Sequence, residues 1–329
     1  MINKVVIIGS NSFSASHLIK VLLKKNINVV GISRSPEYKS LYLPYKEIDN
    51  SNFEFHQLDL NTEIEKIINV LDYEKAEIVV NYAAQGMVAE SWSNPLQWYR
   101  TNTIGTIELV NNLKDKSYLQ KYIHISTPEV YGSIVIPSKE NSSYNPSTPY
   151  AASKASADIF IQLLIKNFKF PAILLRYPNV YGSHQQLFRI IPKSIIYMKM
   201  GRKINLDGGG YQKRSFIDIR DVCNAIYKVM LERDNESIYH FSLPNNLSIR
   251  DLVKKIAYKM NQNFSDVITE KKERKGNDDQ YLLDYSKAQS KLKWKAKISL
   301  DNGLDNVINW INKNWDEIQK EPLDYVHKK

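Results

Sequence analysis

Lys4-Val5-Val6-Ile7-Ile8-Gly9-Ser10-Asn11-Ser12-Phe13-Ser14-Ala15-Ser16-His17-Leu18 begins with a short apolar run, turns at a glycine and continues in a helical pattern. An apolar run of this length bounded by a turn residue predicts a buried strand, here Lys4 to Ile8. The positions that follow predict a helix from about Ser12 to Lys25 and a second strand from Asn28 to Ser33. Strand, helix, strand in that order is a βαβ unit, which forces the two strands to be parallel. Gly9 can make the tight turn, Ala15 is small enough for close helix packing, and the first helical amides can hold a pyrophosphate. Two of the three glycines of a glycine-rich phosphate turn are replaced. Ser12 narrows the backbone approach yet offers a hydroxyl to phosphate, and such a turn standing alone is more often a plain connection. Gly9, Asn11, Ser12 and Phe13 are the candidate dinucleotide contacts.

The same alternation extends along the chain. Further strands are expected at Glu54 to Leu58, Glu77 to Asn81, Lys121 to Ser126 and Ala172 to Arg176, with helical patterns between them. The fold class is therefore α/β, a doubly wound parallel-sheet Rossmann domain. After Gly182 the rhythm breaks, returns to an α/β pattern over Ser215 to Leu243, and ends in amphipathic helices such as Ile249 to Met260 and Leu304 to Trp315. This predicts a dinucleotide domain over 1–182 with a returning segment 215–245. A smaller, interrupted α+β substrate domain would comprise 183–214 and 246–329.

At the end of the second strand, dinucleotide folds that take NAD usually place an acid on the ribose hydroxyls. Here the sequence is Ser33-Arg34-Ser35, a cation flanked by hydroxyls, which suits a 2′-phosphate and predicts NADP, with NAD as the alternative. Asp59, followed by Leu60, stands where a carboxylate can accept from an adenine amino group or cap a helix.

Composition narrows the class of partner. The 329 residues, 43% of them hydrophobic, suffice for a large core, and 45 Lys plus Arg against 35 Asp plus Glu give a formal charge of +10. That balance suits anionic ligands. No zinc-finger spacing and no dense basic tract interleaved with aromatics occurs, so a small polyanionic substrate is favoured over nucleic acid. Cys223 is the sole cysteine, which excludes an intrachain disulfide and suits a reducing compartment. With no long apolar segment or cleavable signal pattern, a cytoplasmic protein without membrane association is expected.

Tyr150 and Lys154, in Thr148-Pro149-Tyr150-Ala151-Ala152-Ser153-Lys154, are one helical turn apart. At that spacing both side chains leave one face, so the ammonium is expected to lower the phenol pKa and make it a usable acid or base. A YxxxK pair alone is more often a solvated surface pair. Its company here is a dinucleotide-type opening and the polar segment Ser126-Thr127-Pro128-Glu129.

Together these residues resemble the extended short-chain dehydrogenase/reductase family, and within it the nucleotide-sugar 4,6-dehydratases that act on dTDP-glucose and GDP-mannose. The resemblance spans nearly the whole chain: Asn81-Tyr82-Ala83-Ala84-Gln85, Thr101-Asn102-Thr103-Ile104-Gly105-Thr106, Ser126-Thr127-Pro128-Glu129-Val130-Tyr131-Gly132, and Pro149 to Lys154. Arg176-Tyr177-Pro178-Asn179-Val180-Tyr181-Gly182, Gln212-Lys213-Arg214-Ser215-Phe216-Ile217-Asp218 and Asp284-Tyr285-Ser286-Lys287 complete it. The order and spacing of the motifs, rather than any one of them, carry the resemblance.

The resemblance implies a lyase in which the cofactor takes a hydride from sugar C4 while Tyr150 removes the 4-hydroxyl proton. Lys154 would tune that phenol and hold the nicotinamide ribose, and Thr127 would hydrogen-bond the same hydroxyl. Oxidation at C4 acidifies C5, so Glu129 would remove the C5 proton, water would leave C6, and hydride would return to C6. It further implies cofactor contacts from Ala83, Ala84, Gln85, Asn102 and Tyr177. Substrate contacts would come from Ser91, Ser126, Asn179 and Asp278, with Arg189 and Arg214 on the diphosphate. Pro128 departs from the dTDP-glucose enzymes, which place there an aspartic acid that protonates the departing hydroxyl. GDP-mannose dehydratases have a serine at that place, so Glu129 is expected to serve as base and acid. Met87 replaces the family's usual histidine, and Asp279 stands where an arginine is usual. UDP-glucuronate decarboxylases share the Ser-Thr-x-Glu pattern, whereas 4-epimerases usually lack the glutamate. Pairing through 97–112 and 153–167 would make a homodimer.

Overall fold

The computed structural model describes residues 2–133, 136–232, 238–244, 246–272 and 280–327. Seven strands form one sheet: β1 (Lys4–Ile8), β2 (Asn28–Ser33), β3 (Phe53–Gln57), β4 (Ile78–Asn81), β5 (Lys121–Ile125), β6 (Ala172–Arg176) and, late in the chain, Ile238–His240. They lie in the order Ile238–His240, β6, β5, β4, β1, β2, β3, and every pairing is parallel. The order reverses between β1 and β4, so the crevice at their C-terminal ends is where a doubly wound sheet takes its ligand.

Alternation along the strands sorts their side chains into two cores. Val5, Ile7 and Val29 face one layer with α1 (Phe13–Leu23), whereas Val6, Ile8 and Val30 face the other with α2 (Ile64–Glu74). Chain order then runs through short helices α3 (Val88–Ser93) and α4 (Pro95–Trp98), a π-helical stretch Tyr99–Gly105, and α5 (Thr106–Leu113). Next comes α6 (Pro149–Phe168), twenty residues long, which starts sharply because Pro149 occupies its first turn and the Thr148 hydroxyl accepts from the Ala151 amide at 3.1 Å.

A third core lies apart from the sheet. It is built by α7 (Ile190–Lys199) with the strand Ile204–Asp207, and by the later helices Ile249–Lys259 and Leu300–Lys313. Between these pieces, Phe216–Asp218 and the helix Ile219–Leu231 return to the first core through Ile219, Val222 and Ile226. Ala288, Leu292 and Trp294 also pack there. Strand and helix positions follow the sequence expectations to within a few residues. The expected Leu304 start is the exception: the last long helix begins earlier because Ser299 caps it, its hydroxyl accepting from the Asn302 amide.

Candidate active site

A cleft of about 1110 Å³ opens at the carboxyl ends of β1, β2, β4 and β5 and runs between the sheet and the third core. Its floor at one end is the turn after β1. Gly9 has φ +81°, and a Cβ there would sit 2.6 Å from the Ala83 amide nitrogen, so only glycine lets the turn lie against β4. Ser12 takes the position before α1, and its hydroxyl accepts from the Ala15 amide at 3.4 Å. It therefore works as a helix cap, leaving the remaining first-turn amides for an anion. The Asn11 amide donates to the Ser35 and Pro36 carbonyls at 2.9 and 2.8 Å, tying the phosphate turn to the Arg34 loop.

Most of the expected dinucleotide contacts line this cleft: Gly9, Asn11, Ser12, Phe13, Ser33, Arg34, Ser35, Asp59, Leu60, Ala83, Ala84, Gln85 and Tyr177. Asp59 accepts from the Asn61 amide at 2.9 Å, a local turn bond. Asn102 stays behind the wall. It is fully buried in the π-helical stretch, accepts from the Gln85 amide at 2.8 Å, and donates to the Gln85 carbonyl and the Ser153 hydroxyl, both at 3.0 Å. It ties the Gln85 backbone to α6.

Tyr150, Thr127 and Glu129 meet at the inner end of the cleft. Thr127 precedes a 3-10 turn, Pro128–Tyr131, and its hydroxyl accepts from the Glu129 amide at 3.3 Å while also bonding to Tyr150. Pro128 preorganises this turn, since it needs no amide partner at that place. Burial raises the Tyr150 pKa, the Glu129 carboxylate adds to the rise, and the Thr127 bond and the Arg189 charge oppose it.

The Lys154 ammonium is buried behind Tyr150, donating to the Ile125 carbonyl at 2.8 Å and to His124 Nε2 at 3.1 Å, and burial lowers its pKa to about 8. One helical turn brings the two residues to one face of α6, and β5 supplies the two partners of the ammonium. Arg189 is the cation at the phenol. It lies at the start of α7 in the cleft wall, within electrostatic reach of Tyr150, Glu129, Tyr325 and Glu90. Sequence reasoning gave Arg189 to the diphosphate, and no sequence signal marked its approach to the phenol.

Beneath Thr127, Asp158 accepts from Ser126 Oγ at 2.6 Å and from Arg176 Nη2 at 2.7 Å, with both charges fully buried. Ser126 still lines the cleft. Neither Asp158 nor His124 was singled out in the sequence, although Asp158 lies one further helical turn along α6 from Lys154.

The other expected substrate residues scatter. Asn179 lines the cleft, its amide donating to the Ser215 carbonyl at 3.5 Å. Arg214 donates to the Lys213 carbonyl and lies 4.7 Å over the Tyr281 ring, whose residue is part of the wall. Ser91 is fully buried in α3 and donates to the Val88 carbonyl at 2.6 Å, so it is a helix-internal bond and lies off the cleft wall. Asp278 and Asp279 lie outside the described residues. Met87 faces the cleft. Among the described residues, no cluster of His, Cys, Asp and Glu forms a metal site.

This geometry can be set beside known proteins. The family model described as GDP-mannose 4,6 dehydratase matches residues 6–307. The chain belongs to that family. Mouse dTDP-D-glucose 4,6-dehydratase is 31% identical over 321 residues, covering 95% of this chain and 89% of that protein. The Streptomyces venezuelae dTDP-glucose 4,6-dehydratase, solved with NAD, superposes with a TM-score of 0.88 at 24% identity over 95% of this chain and 98% of that one. A Bacillus cereus UDP-glucuronic acid 4-epimerase, solved with UDP-glucuronic acid and NAD, gives a TM-score of 0.83 at 28% identity, covering 94% and 99%. The protein is thus an enzyme, a nucleotide-sugar dehydratase of the extended short-chain dehydrogenase/reductase type.

Proposed function

We propose that the cleft binds a nucleoside-diphosphate hexose beside a nicotinamide dinucleotide, and that Tyr150 and Glu129 act in turn on adjacent carbons of the sugar. The observation that carries this reading is the convergence of Tyr150, Thr127 and Glu129 at the inner end of one cleft, continuous with the Gly9 turn. That turn, the free first-turn amides of α1 and the hydroxyl-flanked Arg34 suit a dinucleotide. When bound, the dinucleotide would supply a hydride acceptor at C4 and a hydride donor at C6.

The protein's own residues do the rest. Thr127 holds the sugar 4-hydroxyl on the Tyr150 oxygen, and Tyr150 takes its proton, favoured as phenolate by Arg189. The resulting 4-ketone acidifies the C5 hydrogen. Glu129 removes it and, with no aspartic acid at Pro128, returns that proton to the departing C6 hydroxyl. Tyr150 and Lys154 complete the catalytic set, the lysine acting from behind through His124 and the Ile125 carbonyl.

Residues 1–182 and 215–245 would hold the dinucleotide, and 183–214 with 246–329 the nucleotide sugar, through Asn179, Arg189 and Arg214. Arg34 between Ser33 and Ser35 favours NADP; the NAD named in the solved relatives favours NAD. A homodimer is supported by half-exposed Ile104 beside α5 and by Ile159, Leu163 and Phe168 on α6. A cytoplasmic setting accords with the single, buried Cys223. No helix among the described residues is long and apolar enough to cross a membrane.

Incubation with dTDP-, UDP-, GDP- and CDP-hexoses tests the reading. Loss of water to a 4-keto product is expected with at least one of them. The likeness to a 4-epimerase favours a second reading, in which product mass is unchanged and C4 is inverted. Loss of carbon dioxide from a hexuronate would instead mark a decarboxylase.

A further inference from the structure

Beyond the last short helix, Trp315–Ile318, the chain contributes to the wall of the cleft. Glu321, Pro322, Asp324, Tyr325 and Val326 all line it. The segment is fastened on both sides. On the third-core side, Asp324 pairs with Lys193 of α7 at 2.8 Å, and the Tyr325 ring packs edge-on to Phe188 at 5.2 Å. Glu321 is bonded by Lys39 and by the Tyr42 hydroxyl from the connection after β2. On the sheet side, His327 stacks on Trp98 of α4, with centroids 5.4 Å apart and planes 9° from parallel. Two hydrogen bonds close that end: Tyr325 Oη bonds to His327 Nδ1 at 3.0 Å, and Gln97 Oε1 accepts from His327 Nε2 at 2.6 Å.

Tyr325 lines the same cleft as Arg34, at the end of β2, and Arg189, beside the reacting pair, and is within electrostatic reach of both. A ligand stretched from the Gly9–Arg34 end to Tyr150 shares that cleft with it.

We propose that Glu321–His327 is a strap that retains the nicotinamide dinucleotide, with Tyr325 the residue that packs over it. The proposal rests on the dinucleotide reading of the cleft and deepens it. A 4,6-dehydratase returns to the substrate the hydride it removes, so the same dinucleotide serves every turnover and nothing requires its exchange. The His327 stack and the Gln97 bond must break for the Tyr325–His327 end of the strap to lift, while the Asp324–Lys193 pair is partly solvated and weak.

The test uses the full chain loaded with radiolabelled NADP or NAD and chased with an excess of the unlabelled dinucleotide. In the variants Tyr325→Ala and His327→Ala, label is expected to leave at least tenfold faster than from the unaltered protein, with the melting temperature unchanged. Tyr325→Phe, which keeps the ring and loses the bond to His327, should fall between. Equal release rates in all four proteins would overturn the strap while leaving the dinucleotide site standing. Failure of the unaltered protein to bind either dinucleotide would overturn both.

Discussion

Tyr150, the proposed base, has its pKa raised by burial and by the Glu129 carboxylate, while the Thr127 hydroxyl and Arg189 oppose the rise. The deprotonated fraction grows with pH, so kcat/KM for the first hydride transfer should still be rising above pH 8. Tyr150→Phe should lower that transfer by ~10²- to 10⁴-fold and abolish the alkaline rise. Stopped-flow absorbance of the reduced nicotinamide across a pH series reads both. A pH-independent rate in the unaltered enzyme would remove Tyr150 as the base. The types of these residues were legible in the sequence through the resemblance, but the destination of the Lys154 ammonium was not. Spacing fixes which helix face a side chain leaves from, whereas its partner came from β5, about thirty positions earlier.

At the scale of elements, the turn between β1 and α1 shows what a single surviving glycine does. Ser12 caps the helix and costs the site little, because the cap hydroxyl bonds the Ala15 amide within its own turn. Gly9 has no such substitute: its φ is +81° and its neighbour across the turn is backbone. Gly9→Ala should weaken dinucleotide binding by tenfold or more in calorimetric titration, because Ala83 and β4 must move to admit the methyl group. Unaltered affinity would mean that the turn does not carry the cofactor. The sheet strands were readable because apolar runs between turn residues have one easy solution in an α/β fold. The strap was not, since Pro322-Leu323-Asp324-Tyr325 carries no periodicity and owes its path to Lys39, Phe188, Lys193 and Trp98. The bond of Ser91 was equally hidden from the sequence: α3 turns the hydroxyl onto its own Val88 carbonyl.

Across the whole molecule, the fully buried histidines His124 and His240 link stability to acid. Burial lowers the pKa of His240 to about 3 and that of His124 well below its ordinary value. The unfolded chain binds a proton at each near pH 6.5, while the folded chain does not until far lower. Stability is therefore complete above pH 6.5 and is lost as pH falls from there towards 3. The loss is about 1.4 kcal/mol per pH unit for each histidine. Urea unfolding at pH 7 and pH 5 should show this loss, and His240→Gln should reduce it; a flat profile would place the histidines in contact with water. These histidines join strands and helices far apart in sequence, as in the bond from Tyr131 to His240 at 2.9 Å, which no local pattern announces. What the whole fold achieves is to set a phenol and a carboxylate side by side at one end of a dinucleotide cleft, and a single turnover of Glu129→Gln tests that arrangement most directly. With the dinucleotide bound and the active sugar in excess, reduced nicotinamide and the 4-keto hexose should accumulate to about one equivalent per site, with no loss of water. Normal release of water by Glu129→Gln would rule out Glu129 as the group that removes the C5 proton.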